Sequence, residues 1–102
     1  ISKNNRTQFE EGVIVSNEPG YYEKNNFGIR IENLIFVKKV NKNFKFENLT
    51  MVPIDKSLIE EKLLNKSEIK WLNAYHSEVF KNLKKFMNKP QLADLERACS
   101  NI

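Results

Sequence analysis

Strand-type and helix-type patterns occupy separate halves of this chain, and that order limits the folds open to it. In the second half, apolar residues recur at the spacing of one helix face: Ile69, Leu72, Val79, Phe80, Leu83, Phe86 and Met87. Asn65 with Glu68 three residues later has the form of a capping box, so a helix should begin there. Pro90 predicts the start of a second helix with apolar positions at Leu92, Leu95 and Cys99.

The first half carries short runs of β-branched and aromatic residues separated by turn residues. Val13 to Val15 form a β-branched run that predicts a buried strand, which ends before Pro19. A longer strand is predicted from Phe27 to about Val40, with a loop before it at residues 21–26. Two further short strands are predicted at residues 44–46 and 49–53. Strands first and helices afterwards predict an α+β fold.

Composition excludes several classes of protein. The 102 residues are enough for a modest core but not for a roomy enzyme cleft. Hydrophobic residues make up 40% and charged residues 29%, which is typical of a globular protein and not of a disordered or fibrous one. The net charge is +4, but the lysines are scattered and form no patch interleaved with aromatic residues. We therefore expect no nucleic-acid partner.

Cys99 is the single cysteine, which excludes an internal disulfide and a cysteine-cluster metal site. Its apolar position in a helical pattern favours packing over a role as nucleophile. A reducing, cytoplasmic location is expected. No apolar run approaches the ~20 residues of a membrane span, so no membrane partner is expected. The first residue is Ile1, and a polar stretch leads from it into a strand, which we interpret as a cut inside a larger protein.

Two glutamates and an arginine are the candidate functional residues. Strand alternation places Arg30 and Glu32 on one face beside apolar residues, where a charge is costly unless it meets an opposite charge or a metal ion. Glu18 is held at a strand end by the following proline, and strand ends often carry catalytic groups. On pattern alone, a solvated Arg–Glu pair and an exposed turn glutamate explain these residues at least as well. Hard divalent cations such as Mn²⁺ prefer carboxylates, but a paired-metal site needs more than two.

Longer motifs change that balance. NEPGYY at residues 17–22 and FGIRIEN at residues 27–33 closely resemble the last two metal-ligand motifs of the pita-bread metallopeptidases. LTMVPID at residues 49–55 and WLNAYH at residues 71–76 resemble the C-terminal region of the three-domain branch of the Xaa-Pro aminopeptidase (aminopeptidase P) family. The resemblance implies antiparallel strands of a partial pita-bread fold at residues 1–55, followed by a C-terminal helical extension at residues 56–102.

The resemblance also implies roles for individual residues. Glu18 would bind one metal ion and help to shuttle a proton, and Glu32 would bridge two ions. Arg30 would organise the ligand carboxylates by charged hydrogen bonds, with Tyr22 as a supporting residue. The implied cofactors are two divalent ions, usually Mn²⁺ in this family. The implied substrates are peptides with proline in the second position, and the implied assembly is a homodimer.

The chain departs from the family pattern in one respect. The family requires two aspartates and a histidine upstream of the glutamates, and the residues before Glu18 include neither residue type. The single histidine, His76, falls in the WLNAYH stretch and is expected to be structural. The site of this chain should therefore be incomplete, and the chain alone should be inactive.

Two alternatives to a metallopeptidase fragment stay open. A non-catalytic pita-bread homologue would bind peptides or proteins, although the presence of Glu18, Arg30 and Glu32 argues against such decay. A basic interaction module would be favoured if certain lysines cluster on one surface: Lys42, Lys45, Lys81, Lys84 and Lys85.

Overall fold

The structure is a computed structural model, and it describes residues 6–102. The chain divides into two compact units, the first ending at Thr50 and the second beginning at Met51. All the described strands belong to the first unit, and both described α-helices belong to the second. The predicted order of antiparallel strands followed by helices is confirmed.

The first unit consists of two antiparallel sheets. Its strands are β1 (Ile14–Asn17), β2 (Gly20–Tyr22), β3 (Gly28–Arg30), β4 (Asn33–Val40) and β5 (Asn43–Asn48). The larger sheet has the order β1-β4-β5, so β4 is its central strand. β2 and β3 form the smaller sheet. One long hairpin therefore contributes to both sheets. Its first arm contains β1 and β2, and its second arm, after the turn, contains β3 and β4.

Three predictions about these strands were wrong. The strand expected from Phe27 to Val40 is interrupted at residues 31–32, and its two parts pair with different strands. The expected loop at residues 21–26 begins with the end of β2. Residues 49–53 form no strand: the Leu49 and Thr50 N–H groups both donate to the one Leu34 carbonyl, at 2.8 and 3.4 Å, and do not continue the ladder along β4. Pairing partners decided each of these boundaries, and local propensity did not.

Burial in the larger sheet follows the predicted alternation only on its central strand. In β4, Asn33, Ile35 and Val37 are buried, whereas Leu34 between them is exposed. The predicted buried strand at Val13 to Val15 is wrong, because Ile14 is exposed and the two valines are only half-buried. β1 is an edge strand, and the edge of an antiparallel sheet often faces solvent.

Both helices of the second unit begin as the sequence predicts. α1 (Lys66–Leu83) starts at a capping box in which the Asn65 side chain accepts from the backbone N–H of Glu68 at 3.0 Å. The Glu68 carboxylate accepts in return from the Asn65 N–H at 2.8 Å. α2 (Lys89–Ala98) has a second capping box, and Pro90 lies in its first turn. Neither of these described helices has the length and apolar character that crossing a membrane requires.

The second unit has a small apolar core, formed by Tyr75, Val79, Leu95 and Cys99. Burial raises the pKa of the Cys99 thiol, which fits a packing role. The predicted apolar face of α1 is wrong at its end, because Phe86 is 71% exposed. α1 ends at Leu83 and is followed by a 3₁₀ turn, Lys84–Phe86. A 3₁₀ helix has about 3.0 residues per turn and an α-helix about 3.6, so Phe86 does not fall on the apolar face of α1.

His76 is fully buried beside this core and has a backbone partner. Its Nε2 accepts a hydrogen bond from the Ile54 N–H at 3.0 Å, and the neighbouring Tyr75 hydroxyl donates to the Val52 carbonyl at 2.8 Å. Burial lowers the pKa of His76, and the positive charge of Lys56 lowers it further, so the imidazole is held neutral. The geometry is that of the structural histidine that the sequence predicts.

Candidate metal centre

Glu18 and Glu32 lie at the junction of the two sheets of the first unit. The Ile31 N–H donates to the Pro19 carbonyl at 3.2 Å between the two ladders, so the chain segments stay side by side through the junction. Both ladders share one register, which places Glu18 directly opposite Glu32. The cross-strand pairs on either side are Asn17 with Asn33 and Gly20 with Arg30. One guanidinium, that of Arg30, lies within 4 Å of both carboxylates, so the structure brings the two predicted ligands together.

Arg30 lies between the two carboxylates. Its Nη1 is 3.8 Å from Glu18 Oε1, and its Nη2 is 3.3 Å from Glu32 Oε2. Like charges directly opposite each other destabilise a strand pair, and one shared guanidinium offsets that repulsion. All three side chains are partly exposed, so these ion pairs contribute little to folding stability. What they provide is a fixed orientation of two carboxylates on one face.

Tyr22 is a third partner of the guanidinium. Its hydrogen bond with the Arg30 side chain is the largest influence that raises the pKa of Arg30, ahead of the charges of Glu32 and Glu18. A guanidinium with three such partners stays charged and has few other orientations open to it. The four predicted site residues therefore form one connected group in the structure.

Two further residues position the carboxylates, and sequence reasoning did not identify them. The Ser16 hydroxyl donates to Glu18 Oε2 at 2.6 Å. Ser16 stands two residues before Glu18 in an extended segment, so strand periodicity alone places both on one face. Asn33 is buried, and its side-chain amide donates to Asn48 Oδ1 at 3.3 Å. Because Asn33 directly follows Glu32, this bond anchors the backbone next to the second carboxylate.

The donor atoms fit hard divalent cations in type but not in number. Carboxylate oxygens are the ligands that Mg²⁺ and Mn²⁺ prefer, and Glu18 and Glu32 present them on one face. Within residues 6–102, however, no three His, Cys, Asp or Glu side chains are grouped to hold a metal ion. A pair of ions needs a larger ligand set, so Glu18 and Glu32 would hold it only together with ligands from outside these residues.

The sequence matches two family profiles that together cover most of the chain. Residues 1–39 match the profile described as "Metallopeptidase family M24", and residues 42–102 match the "C-terminal region of peptidase_M24". Glu18, Arg30 and Glu32 all fall inside the first of these ranges, whereas the helices fall inside the second.

Individual relatives agree with the profiles. The "Probable Xaa-Pro aminopeptidase P" of Tuber melanosporum is 48% identical over 101 residues, which cover 86% of this chain and 16% of that protein. The protein of the same name from Sclerotinia sclerotiorum is 43% identical over 100 residues, which cover 85% of this chain and 17% of that protein. This chain therefore spans about one sixth of the length of the curated relatives it matches.

A solved structure matches the fold. The crystal structure of X-prolyl aminopeptidase from Caenorhabditis elegans, described as a cytosolic enzyme with a di-nuclear active site, superimposes with a TM-score of 0.83 at 33% sequence identity. The match covers 99% of this chain and 18% of that enzyme. It confirms the predicted fold class, and with the two profiles it shows that this chain belongs to metallopeptidase family M24.

Proposed function

We propose that this chain is the C-terminal part of a metal-dependent Xaa-Pro aminopeptidase, which removes the N-terminal residue from peptides with proline in the second position. The observation that carries the proposal is the shared strand register that sets Glu18 opposite Glu32, with Arg30 between them. The names of the relatives and the di-nuclear site of the solved neighbour support the same activity.

We propose distinct roles for the four residues of this centre. Glu18 and Glu32 would both hold the ions, and Glu18 would also move a proton at its carboxylate. Arg30 balances the two negative charges and orients them, and Tyr22 holds Arg30 in place. Lewis acidity that activates water and polarises the scissile carbonyl would come from two divalent cations, which we propose to be Mn²⁺.

The proposal also covers the domain organisation, the location and the assembly of the intact protein. Residues 1–55 would belong to the catalytic pita-bread domain, and residues 56–102 would form its C-terminal helical extension. The intact protein, meaning the aminopeptidase of which this chain is a part, would be cytoplasmic, as its solved neighbour is described. It would be a homodimer, which light scattering on the intact protein would test as a mass of two subunits.

Peptide cleavage by the intact protein tests the activity. After removal of metal by a chelator and addition of Mn²⁺, we expect cleavage of an Xaa-Pro peptide and little cleavage of an Xaa-Ala control. Glu32→Ala should abolish cleavage. Glu47→Ala is the matched control, because Glu47 is equally exposed (43% against 44% for the Glu32 side chain) but pairs with Lys38 away from the centre.

Two results would contradict the proposal. Binding of Xaa-Pro peptides without cleavage would identify a non-catalytic homologue instead. Full activity in Glu32→Ala would show that the ligand set is wrong. Residues 1–102 alone are expected to be inactive with or without Mn²⁺, because two carboxylates hold divalent ions weakly.

A further inference from the structure

The Tyr22 ring lies along the sheet, over two glycines of the candidate metal centre. A Cβ atom added at Gly28 would stand 2.6 Å from Tyr22 Cδ1 and 3.1 Å from Cε1. A Cβ atom added at Gly20 would stand 2.8 Å from the Tyr22 hydroxyl oxygen and 2.9 Å from Cε2. Cβ contacts under 3.0 Å are essentially never seen, so the ring fills the space that a side chain at either position would occupy.

Backbone conformation does not explain these glycines. Of the glycines in the described residues, only Gly12 has a positive φ, at 86°. Gly20 and Gly28 lie in paired strands at backbone angles that any residue adopts. Glycine weakens a strand interior, and it occurs there where another group approaches the backbone closely. The group that approaches here is the Tyr22 ring.

The strand register shows which residues lie next to the Tyr22 ring. Tyr22 is directly opposite Gly28, and Gly20 is directly opposite Arg30. Because side chains alternate along a strand, Tyr22, Gly20 and Arg30 share the face that carries both carboxylates. The ring thus starts over Gly28, passes along the strand and sets its hydroxyl over Gly20, beside the guanidinium with which it forms a hydrogen bond.

We infer that Gly28 and Gly20 are positioning residues of the metal centre: their missing side chains let Tyr22 lie flat, so that its hydroxyl holds Arg30 between Glu18 and Glu32. The inference rests on the proposed function. Its competitor is purely structural, since an aromatic ring that covers a cross-strand glycine also stabilises the strand pair. Both explanations act through Tyr22 and differ in whether the effect of the glycine reaches the metal ligands: the structural one predicts a lower melting temperature with unchanged Mn²⁺ affinity.

Gly28→Ala should act by displacing the ring. Tyr22 is 66% exposed, so its side chain is free to swing towards solvent and leave Arg30. Residues that orient metal ligands typically change metal affinity or activity by about 10- to 100-fold when they are substituted. We expect a loss of that size in Mn²⁺ affinity and in kcat/KM for Gly28→Ala, and a similar loss for Tyr22→Ala.

A double-substitution experiment on the intact protein tests whether the effect passes through Tyr22, and Mn²⁺ affinity measured beside the melting temperature separates the two explanations. Mn²⁺ affinity is measured by calorimetry with the metal alone, after chelator treatment, together with kcat/KM and the melting temperature. Gly28→Ala should add no further loss in a Tyr22→Ala background, because the ring is already absent. Tyr21→Ala is the matched control background: Tyr21 is 61% exposed and contacts Phe27, so there Gly28→Ala should keep its full effect.

Equal losses in the Tyr22→Ala and Tyr21→Ala backgrounds would overturn the inference and leave the proposed function intact. If the intact protein neither binds Mn²⁺ nor cleaves Xaa-Pro peptides, the proposed function fails. A crystal structure of Gly28→Ala then tests the inference separately, and a Tyr22 ring that stays beside Arg30 in that structure would refute the inference. If Gly28→Ala does not fold, Gly20→Ala applies the same test, because its Cβ meets the far end of the ring.

Discussion

The two units of this chain differ in how many residues they bury. Among the described residues of the strand unit only three are buried, whereas apolar side chains are exposed along its strands: Ile14, Ile29, Leu34, Phe44 and Phe46. The helical unit also exposes apolar side chains, such as Leu58, Leu63 and Phe86, but it buries twice as many residues: Leu72, Tyr75, His76, Val79, Leu95 and Cys99. The helical unit therefore carries its own core, and the strand unit carries the candidate metal centre.

Ionisable groups show the same contrast. In the helical unit, burial is the leading cause that lowers the pKa of His76 and raises that of Cys99. In the strand unit, the pKa of Arg30 is raised by a hydrogen bond and by neighbouring charges at an exposed position. Desolvation perturbs stability, while exposed charge pairs perturb it little. Substitutions in the helical unit should therefore change stability most, and those in the strand unit should change metal binding.

Val79→Asp should have the largest effect on stability. Val79 is fully buried in the core of the helical unit, so a carboxylate there has no partner and should cost about 3–5 kcal/mol. Hydrogen exchange of peptides from α1 and α2 in the intact protein measures the loss of protection. Ser77→Asp, at an exposed position of the same helix, is the control. Unchanged protection in Val79→Asp would mean that this core is not packed as described.

His76 should make the helical unit sensitive to pH. The folded pKa lies below the ordinary value of about 6.5, so the unfolded state binds more protons as the pH falls. The stability contribution is complete above about pH 6.5 and declines below it, by at most about 1.4 kcal/mol per pH unit for one proton.

His76→Gln should remove that pH dependence, because a glutamine carbonyl still accepts from the Ile54 N–H but does not titrate. Hydrogen exchange of α1 peptides between pH 5 and pH 8, corrected for the intrinsic exchange rate, measures the difference. If the unsubstituted protein and His76→Gln show the same pH profile of protection, the pH dependence comes from another group.

Asn65→Ala should have a smaller effect that is confined to the start of α1. It removes the side-chain oxygen that accepts from the first turn, which typically costs about 0.5–2 kcal/mol. Exchange should rise first in the peptide that contains residues 66–69. Asn82→Ala is the control within the same helix, because Asn82 caps no helix start and bonds only to the Glu78 carbonyl among the contacts described. Equal effects of both changes would refute the capping explanation.

Arg30→Lys should change stability less than the three substitutions in the helical unit, and it should weaken metal binding. Exposed ion pairs contribute little to stability, so the melting temperature should hardly move. An ammonium group is a single point of charge and does not span both carboxylates as the guanidinium does. Mn²⁺ affinity of the intact protein should fall by about 10- to 100-fold. Lys38→Met, which breaks the exposed pair with Glu47, should alter neither quantity; a loss of affinity there would point to a general charge effect.

Local patterns determined much of this molecule. The capping box at Asn65, the start of α2 near Pro90 and the alternation of Ile35 and Val37 all depend on residues a few positions apart. Such features are readable because their spacing is set by the geometry of one helix or one strand. The motifs around Glu18 and Glu32 could also be identified from the sequence, since each resembles a family motif over contiguous residues.

Tertiary pairing and packing decided the rest. The register that sets Glu18 opposite Glu32, the break between Arg30 and β4, and the Tyr22 ring over Gly28 depend on segments that meet only in the folded chain. The exposure of Phe86 depends likewise on where α1 ends. A strand register has no local signature, because a shift of one residue leaves the sequence unchanged and turns every side chain to the other face.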